Sequence, residues 1–137
     1  MAVWCLHSGS ANSAPSQISR VFAELDRLDP RSRFSIFWDP LPCHLQNGAD
    51  ITDYIIHYSL VTDGPGEART ISTANNQSVT CGQEPIGPYK CYMSSSLFFT
   101  NERYTFQVAA RNSFGVGPFS DPVTATAAAT LHSQGTV

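Results

Sequence analysis

Basic residues are scarce in this 137-residue chain: eight Lys and Arg against eleven Asp and Glu leave a formal net charge of -3, with a pI near 5.7. There is no run of Lys or Arg to neutralise a phosphate backbone or an anionic bilayer, which sets aside nucleic acid and direct membrane contact as the main partners. No stretch approaches the ~18 consecutive apolar residues of a membrane span, and nine Gly with nine Pro are too few for a collagenous or disordered chain. A secretory leader would need a basic start and ~7–15 apolar residues, whereas residues 1–6 are a short apolar stretch without Lys or Arg. The chain is therefore read as an excerpt from something longer.

Catalytic signatures are also missing. There is no Gly-x-Ser-x-Gly elbow, phosphate loop, His-Glu-x-x-His helix or Gly-x-Gly-x-x-Gly opening a helix. His7, His44, His57 and His132 lie apart in sequence. Only Cys43-His44 sets two ligand types side by side, and neighbours on an extended chain point opposite ways. Asp39, Asp50, Asp53 and Asp63 lack the dense alternation of a calcium loop, so turn and N-cap chemistry is their expected role. No catalytic, cofactor-binding or metal-ligating residue is assigned, and the expectation is a protein that is not an enzyme and carries no cofactor.

What is present is hydroxyl-rich and β-patterned. Charged residues are only 14% of the chain, and sixteen Ser with eleven Thr supply much of the polar surface. The 42% apolar content is enough for one core, hence one domain. Phe34, Ile36 and Trp38 alternate with polar or outward positions up to Asp39-Pro40; Tyr54, Ile56 and Tyr58 do so in the next run; Tyr104, Phe106, Val108 and Ala110 do so most cleanly. Weaker strand candidates are 18–25, 68–73, 91–98 and 123–126, which makes about seven. Residues 21–28 also fit a helical turn, but Pro15 and Pro30 confine them and favour an edge strand. Asp29-Pro30, Asn47-Gly48, Asp63-Gly64-Pro65-Gly66, Asn101 and Gly115-Val116-Gly117 carry turn chemistry. Short strands between such turns predict an antiparallel sandwich. Trp38 and Tyr104 are expected between the sheets.

Pro15, Phe34-Ser35-Ile36-Phe37-Trp38-Asp39-Pro40, Asn47-Gly48 and Ile51-Thr52-Asp53-Tyr54-Ile55-Ile56-His57-Tyr58 come in the order of the A, B and C strands of a fibronectin type III domain. Leu97, then Tyr104-Thr105-Phe106-Gln107-Val108-Ala109-Ala110-Arg111-Asn112, then Gly115-Val116-Gly117-Pro118-Phe119-Ser120-Asp121-Pro122 complete the resemblance through the F and G strands. It covers residues 15–126, with 1–14 as a flexible N-terminal extension and 127–137 as a linker or tail. The resemblance implies an immunoglobulin-like, all-β, seven-stranded sandwich. It also implies a tyrosine corner, in which a backbone group near the E–F corner satisfies the Tyr104 hydroxyl.

One departure from that pattern is a long C′E connection, residues 78–91, in which Cys81 and Cys91 flank a turn rich in Pro and Gly. It reads as a stapled hairpin, so Cys81 with Cys91 is the first expected disulfide and Cys5 with Cys43 the second; reduced thiols remain the alternative. Strand directions put the N-terminus, the BC loop, this connection and the FG loop at one pole. The apolar loop residues there, Leu45, Ile86, Tyr89, Phe114 and Val116, are the candidate protein-binding anchors. Asn76-Gln77-Ser78 is a glycosylation sequon, which places Asn76 as an acceptor if the chain is extracellular. Integrin-binding relatives use Arg-Gly-Asp in the FG loop; this chain has Arg111-Asn112-Ser113-Phe114 instead, and that activity is not implied. The expectation is a monomeric, non-catalytic spacer and protein-interaction module of a larger extracellular or cell-surface protein. The alternatives are an intracellular structural module of muscle or cytoskeletal type, and an accessory module attached to an enzyme.

Overall fold

A computed structural model of the chain describes residues 5–7, 12–26, 33–63, 68–74, 77–83, 87–94, 97–99 and 101–127. Two antiparallel sheets pack face to face. The first has the order β1-β2-β6-β5, from β1 (Val21–Asp26), β2 (Arg33–Trp38), β6 (Tyr89–Met93) and β5 (Val79–Gln83). The second runs β4-β3-β7-β8, from β4 (Arg69–Ser72), β3 (Asp53–Leu60), β7 (Glu102–Asn112) and the two-residue β8 (Gly115–Val116); β9 (Val123–Ala127) also pairs with β7.

Alternation dictates the core. Phe34, Ile36 and Trp38 of β2 face Tyr54, Ile56 and Tyr58 of β3 and Tyr104, Phe106 and Val108 of β7, all buried. The core has an aromatic cluster at each end. Trp38 meets the rings of Tyr54 and Tyr89 at centroid distances of 4.9 and 5.3 Å, while Phe34 meets Phe98 and Phe106 at 4.6 and 5.1 Å, partly edge-to-face as ring quadrupoles favour. Ile36, Ile56, Val108 and Cys91 fill the middle, and Met93 lies level with Phe34. No disulfide joins the sheets among the described residues, so hydrocarbon packing holds them together. At the E–F corner the backbone N–H of Phe99 donates to the Tyr104 hydroxyl at 2.7 Å, the tyrosine corner that the resemblance implied.

Residues 78–91 carry the stapled hairpin expected of them, and it belongs to the sandwich: they supply β5, a strand outside the expected seven, and most of β6. Two expectations need correction. The strand expected over 91–98 lies instead at Tyr89–Met93, because the Ser94 N–H bonds Ser78 O and the Leu97 N–H bonds Ser94 O, which turns the chain into the corner. Tyr89 is accordingly a strand residue and not a loop anchor. It shares the inward face of β6 with Cys91 and Met93 and packs half-buried on Trp38 and Tyr54. Residues 21–26 form the edge strand, as the prolines favoured over the helical turn.

The motif Gly117-Pro118-Phe119-Ser120 explains how the last strand passes two prolines. Pro118 and Pro122 cannot donate to the ladder. Ser120 substitutes for the missing pairing, its Oγ accepting from Val108 N at 2.9 Å while its own N–H donates to Val108 O at 2.8 Å. Gly117 must be glycine for a different reason: a Cβ there would come within 2.1 Å of the Pro15 carbonyl oxygen.

Candidate functional site

The register sets the site at one end of the sandwich. β2 ends at Trp38, which pairs with Tyr89, and Gln83 pairs with Tyr89 across the β5–β6 hairpin. In the other sheet Asp53, the first residue of β3, pairs with Arg111 near the end of β7. The loop of residues 39–52, the β5–β6 turn and the β7–β8 turn therefore share one pole, as strand directions required.

Asn112 organises this pole. Buried at the end of β7, it accepts from Phe114 N through its Oδ1, shaping the two-residue turn before Gly115. Its Nδ2 donates to Ser13 O at 2.9 Å and Gln46 O at 2.8 Å, so one side chain ties together the N-terminal segment, the 39–52 loop and the FG turn. Asn47 and Gly48 both have positive φ, 60° and 103°, the geometry of a tight reversal that Asn-Gly accepts at low cost. This aims the Asn47 amide at Ala14 O and Ser16 Oγ, while the N–H groups of Ser13 and Ser16 bond the carbonyls of Asn47 and Leu45.

The described residues ahead of Pro15, 5–7 and 12–14, thus include contacts to the pole. Cys5 is bonded to Cys43, with Cα atoms 5.4 Å apart, and His7 Nε2 lies 2.8 Å from Asp50 Oδ1. Cys81 is bonded to Cys91, its direct cross-strand partner, at a Cα separation of 4.1 Å. That disulfide lies on the inward face of the first sheet, with Cys91 fully buried.

Asp53 is the polar residue that the sequence reading missed. Instead of a turn or cap, its buried carboxylate makes an ion pair with the partly exposed Arg111: Arg111 Nε donates to its Oδ1 at 2.8 Å, Arg111 Nη2 and Ser72 Oγ donate to Oδ2, and Thr52 Oγ1 donates to Oδ1. These donors, the Arg111 guanidinium foremost, outweigh burial and hold the carboxyl at about 2 against an ordinary 3.8. A depressed folded-state pKa gives stability that is complete above the unfolded value and disappears as pH falls through the folded one. The donors around the ionised Asp53 carboxylate therefore stabilise the fold at neutral pH, and that stabilisation is lost between roughly pH 5 and pH 2. Asp53→Asn should be less stable than the wild type at pH 7, with the difference in denaturant midpoint shrinking towards pH 2; a constant difference across that range would remove the charge from the account.

The candidate anchors separate in the structure. Phe114, 48% exposed, lies on the FG turn, while Val116, 43% exposed, is a strand residue of β8 paired with Arg111 and not the loop residue expected. Leu45 is half-buried against the core, where the 3-10 turn Cys43–Leu45 folds it back, and Tyr89 packs as described. Ile86 and Asn76 lie outside the described residues. His57, set apart in sequence, packs its ring against Phe119 at 5.0 Å. Among the described residues, one group of three potential metal donors occurs, formed by Cys5, His7 and Asp50.

An all-β sandwich of immunoglobulin-like class is defined by these two sheets, their order and the tyrosine corner. Within that class the chain has the fibronectin type III fold, as solved structures show. The FN1–FN3 domains of chicken CNTN1 match 85% of this chain at TM-score 0.60 and 24% identity. The third fibronectin III domain of the human KIAA0343 protein matches 93% of it at TM-score 0.59 and 18% identity. Astrotactin-2, titled a perforin-like membrane protein involved in neuronal development, matches 83% at TM-score 0.54 and 20% identity. The chain spans 35% of the CNTN1 structure and 94% of the KIAA0343 domain. No family model matches the sequence, and a search of curated proteins finds no match.

Proposed function

We propose that this domain is a non-catalytic spacer and protein-binding module of a larger extracellular or cell-surface protein, docking its partner through the FG-turn pole. The observation that carries this is the exposure of Phe114 on the turn and of Val116 beside it in β8, with the turn tied from below by the Asn112 side chain. A large apolar side chain already positioned loses little freedom on binding, which suits it as an anchor. Both disulfides support an oxidising compartment. Glycosylation at Asn76 belongs to the same reading.

The non-catalytic reading is supported by the strongly displaced carboxylate. Asp53 is engaged by Arg111, Ser72 and Thr52 and so serves the fold rather than a substrate.

The test is the double variant Phe114→Ala/Val116→Ala, screened with the wild type against an array of displayed extracellular ectodomains. Both side chains are surface residues, so the melting temperature should shift by no more than about 2–4 °C. Affinity for any ectodomain captured by the wild type should fall at least tenfold. Unchanged affinity would move the docking surface elsewhere; unfolding would make the turn structural and leave the domain as a spacer.

A further inference from the structure

The two segments joined at the N-terminal disulfide bring more than a disulfide together. Cys5 Sγ, a His7 ring nitrogen and an Asp50 carboxylate oxygen all lie within 4.8 Å of one another, and Cys43 Sγ is bonded to the first of these. Two donors, residues 5 and 7, come from the N-terminal segment. The other two come from the opposite ends of a single loop, Cys43 at the start of its 3-10 turn and Asp50 just before β3. Asn112 and Asn47 fix how the N-terminal segment lies along that loop, by hydrogen bonds independent of the four donors.

We propose that these four residues form a zinc site when the Cys5–Cys43 bond is reduced, so that the same segment is clamped to the same loop by a metal in place of a disulfide. The donor set is two thiolates, one imidazole and one carboxylate, which suits tetrahedral zinc and does not suit calcium or magnesium, both of which want oxygen throughout. A tetrahedral site with bonds of ~2.0–2.3 Å separates its donors by roughly 3.3–3.8 Å. Cys5 Sγ, the His7 nitrogen and the Asp50 oxygen lie within 4.8 Å of one another and must draw in by roughly 1 Å to reach that spacing, while the Cys43 sulfur must part from Cys5 Sγ and turn towards the other two donors, movements that side-chain rotamer changes supply. His7 is 14% exposed, mostly withdrawn from solvent, and Asp50 at 59% leaves an entry path.

The chemistry balances. A dithiol or phosphine reductant gives two electrons and is itself converted to a disulfide or a phosphine oxide; the cystine takes up two protons to become two thiols. Zinc then displaces both thiol protons to solvent. Sequence spacing concealed the site, because residues 5 and 7 are too close and 43 and 50 too far apart to resemble a zinc knuckle.

Cobalt(II) is the probe, used with the full chain under limited phosphine without oxygen. Cys43 is exposed and Cys91 fully buried, so alkylation mapping should find Cys5 and Cys43 free while Cys81 and Cys91 remain linked. If all four are reduced, the Cys81→Ala/Cys91→Ala variant isolates the first pair. One equivalent of cobalt should give the intense absorption of a tetrahedral thiolate site, bleached by zinc. His7→Ala/Asp50→Ala should weaken binding at least tenfold with an unchanged circular dichroism spectrum. Alkylating Cys5 and Cys43 in the reduced wild type, which alters no residue needed for folding, should abolish it. No tetrahedral spectrum, binding that survives alkylation, or full affinity in His7→Ala/Asp50→Ala would each overturn the four-donor site. None of these outcomes depends on whether Phe114 and Val116 dock a partner.

Discussion

Trp38→Ala is expected to destabilise the domain by about 3–5 kcal/mol, the range for removing a large aromatic from a core that cannot collapse around the cavity. Collapse is hindered from three sides. Trp38 has no exposed surface, its strand is flanked by β1 and β6, and its ring is wedged against Tyr54 and Tyr89. Neither tyrosine can move in easily, because Tyr54 belongs to a strand paired on both sides and Tyr89 begins one end of the β5–β6 hairpin. Trp38→Phe separates shape from polarity. Among the described residues the buried Trp38 Nε1–H has no hydrogen-bond acceptor, so phenylalanine removes that donor while keeping much of the ring. It should recover more than half of the loss. Chemical denaturation followed by circular dichroism checks both; a loss below about 1 kcal/mol for the alanine variant would contradict a central role for Trp38 in the core.

How far the molecule can be read from sequence depends on the range of the interaction concerned. β2, β3 and β7 are legible because period-two alternation is a local property, and Trp38, Tyr54 and Phe106 declare their faces without knowledge of their neighbours. The run from Gly117 to Ser120 is legible as a motif, although its reasons are not: the carbonyl of Pro15 over Gly117 and the bond from Val108 to Ser120 join segments far apart in the chain. β5 is hidden because Val79-Thr80-Cys81-Gly82-Gln83 has weak alternation and ends in glycine and glutamine. With β5 unseen, Tyr89 passes for a loop residue. Asp53 fails for another cause. Its partner Arg111 faces it only through the β3–β7 register, and a carboxylate beside Thr52 looks like ordinary turn chemistry until that register is known.

The same contrast of local and distant contacts decides which disulfide matters more to the sandwich. On loop length alone the Cys5–Cys43 bond should dominate, since its residues are 38 apart against 10 for Cys81–Cys91, and the chain-entropy model assigns about 4 and about 3 kcal/mol respectively. That model counts freedom gained by the unfolded chain only. When Cys5–Cys43 is removed, Cys5, Leu6 and His7, which belong to no strand, can also leave the folded domain, and each residue so released regains about 1–2 kcal/mol of backbone entropy. The folded state thus recovers much of what the unfolded state gains. Cys81 and Cys91 have no such release, because they are register partners inside β5 and β6 and pack towards the core. Cys81→Ala/Cys91→Ala is therefore expected to cost about 3 kcal/mol, with β5 amides, which pair on one side only, losing hydrogen-exchange protection first. Cys5→Ala/Cys43→Ala should cost less than half as much under the same oxidising conditions. Urea titration of the two variants beside the wild type ranks them directly. The reverse ranking would mean that the N-terminal segment is integral to the cooperative unit, held there as firmly as a strand.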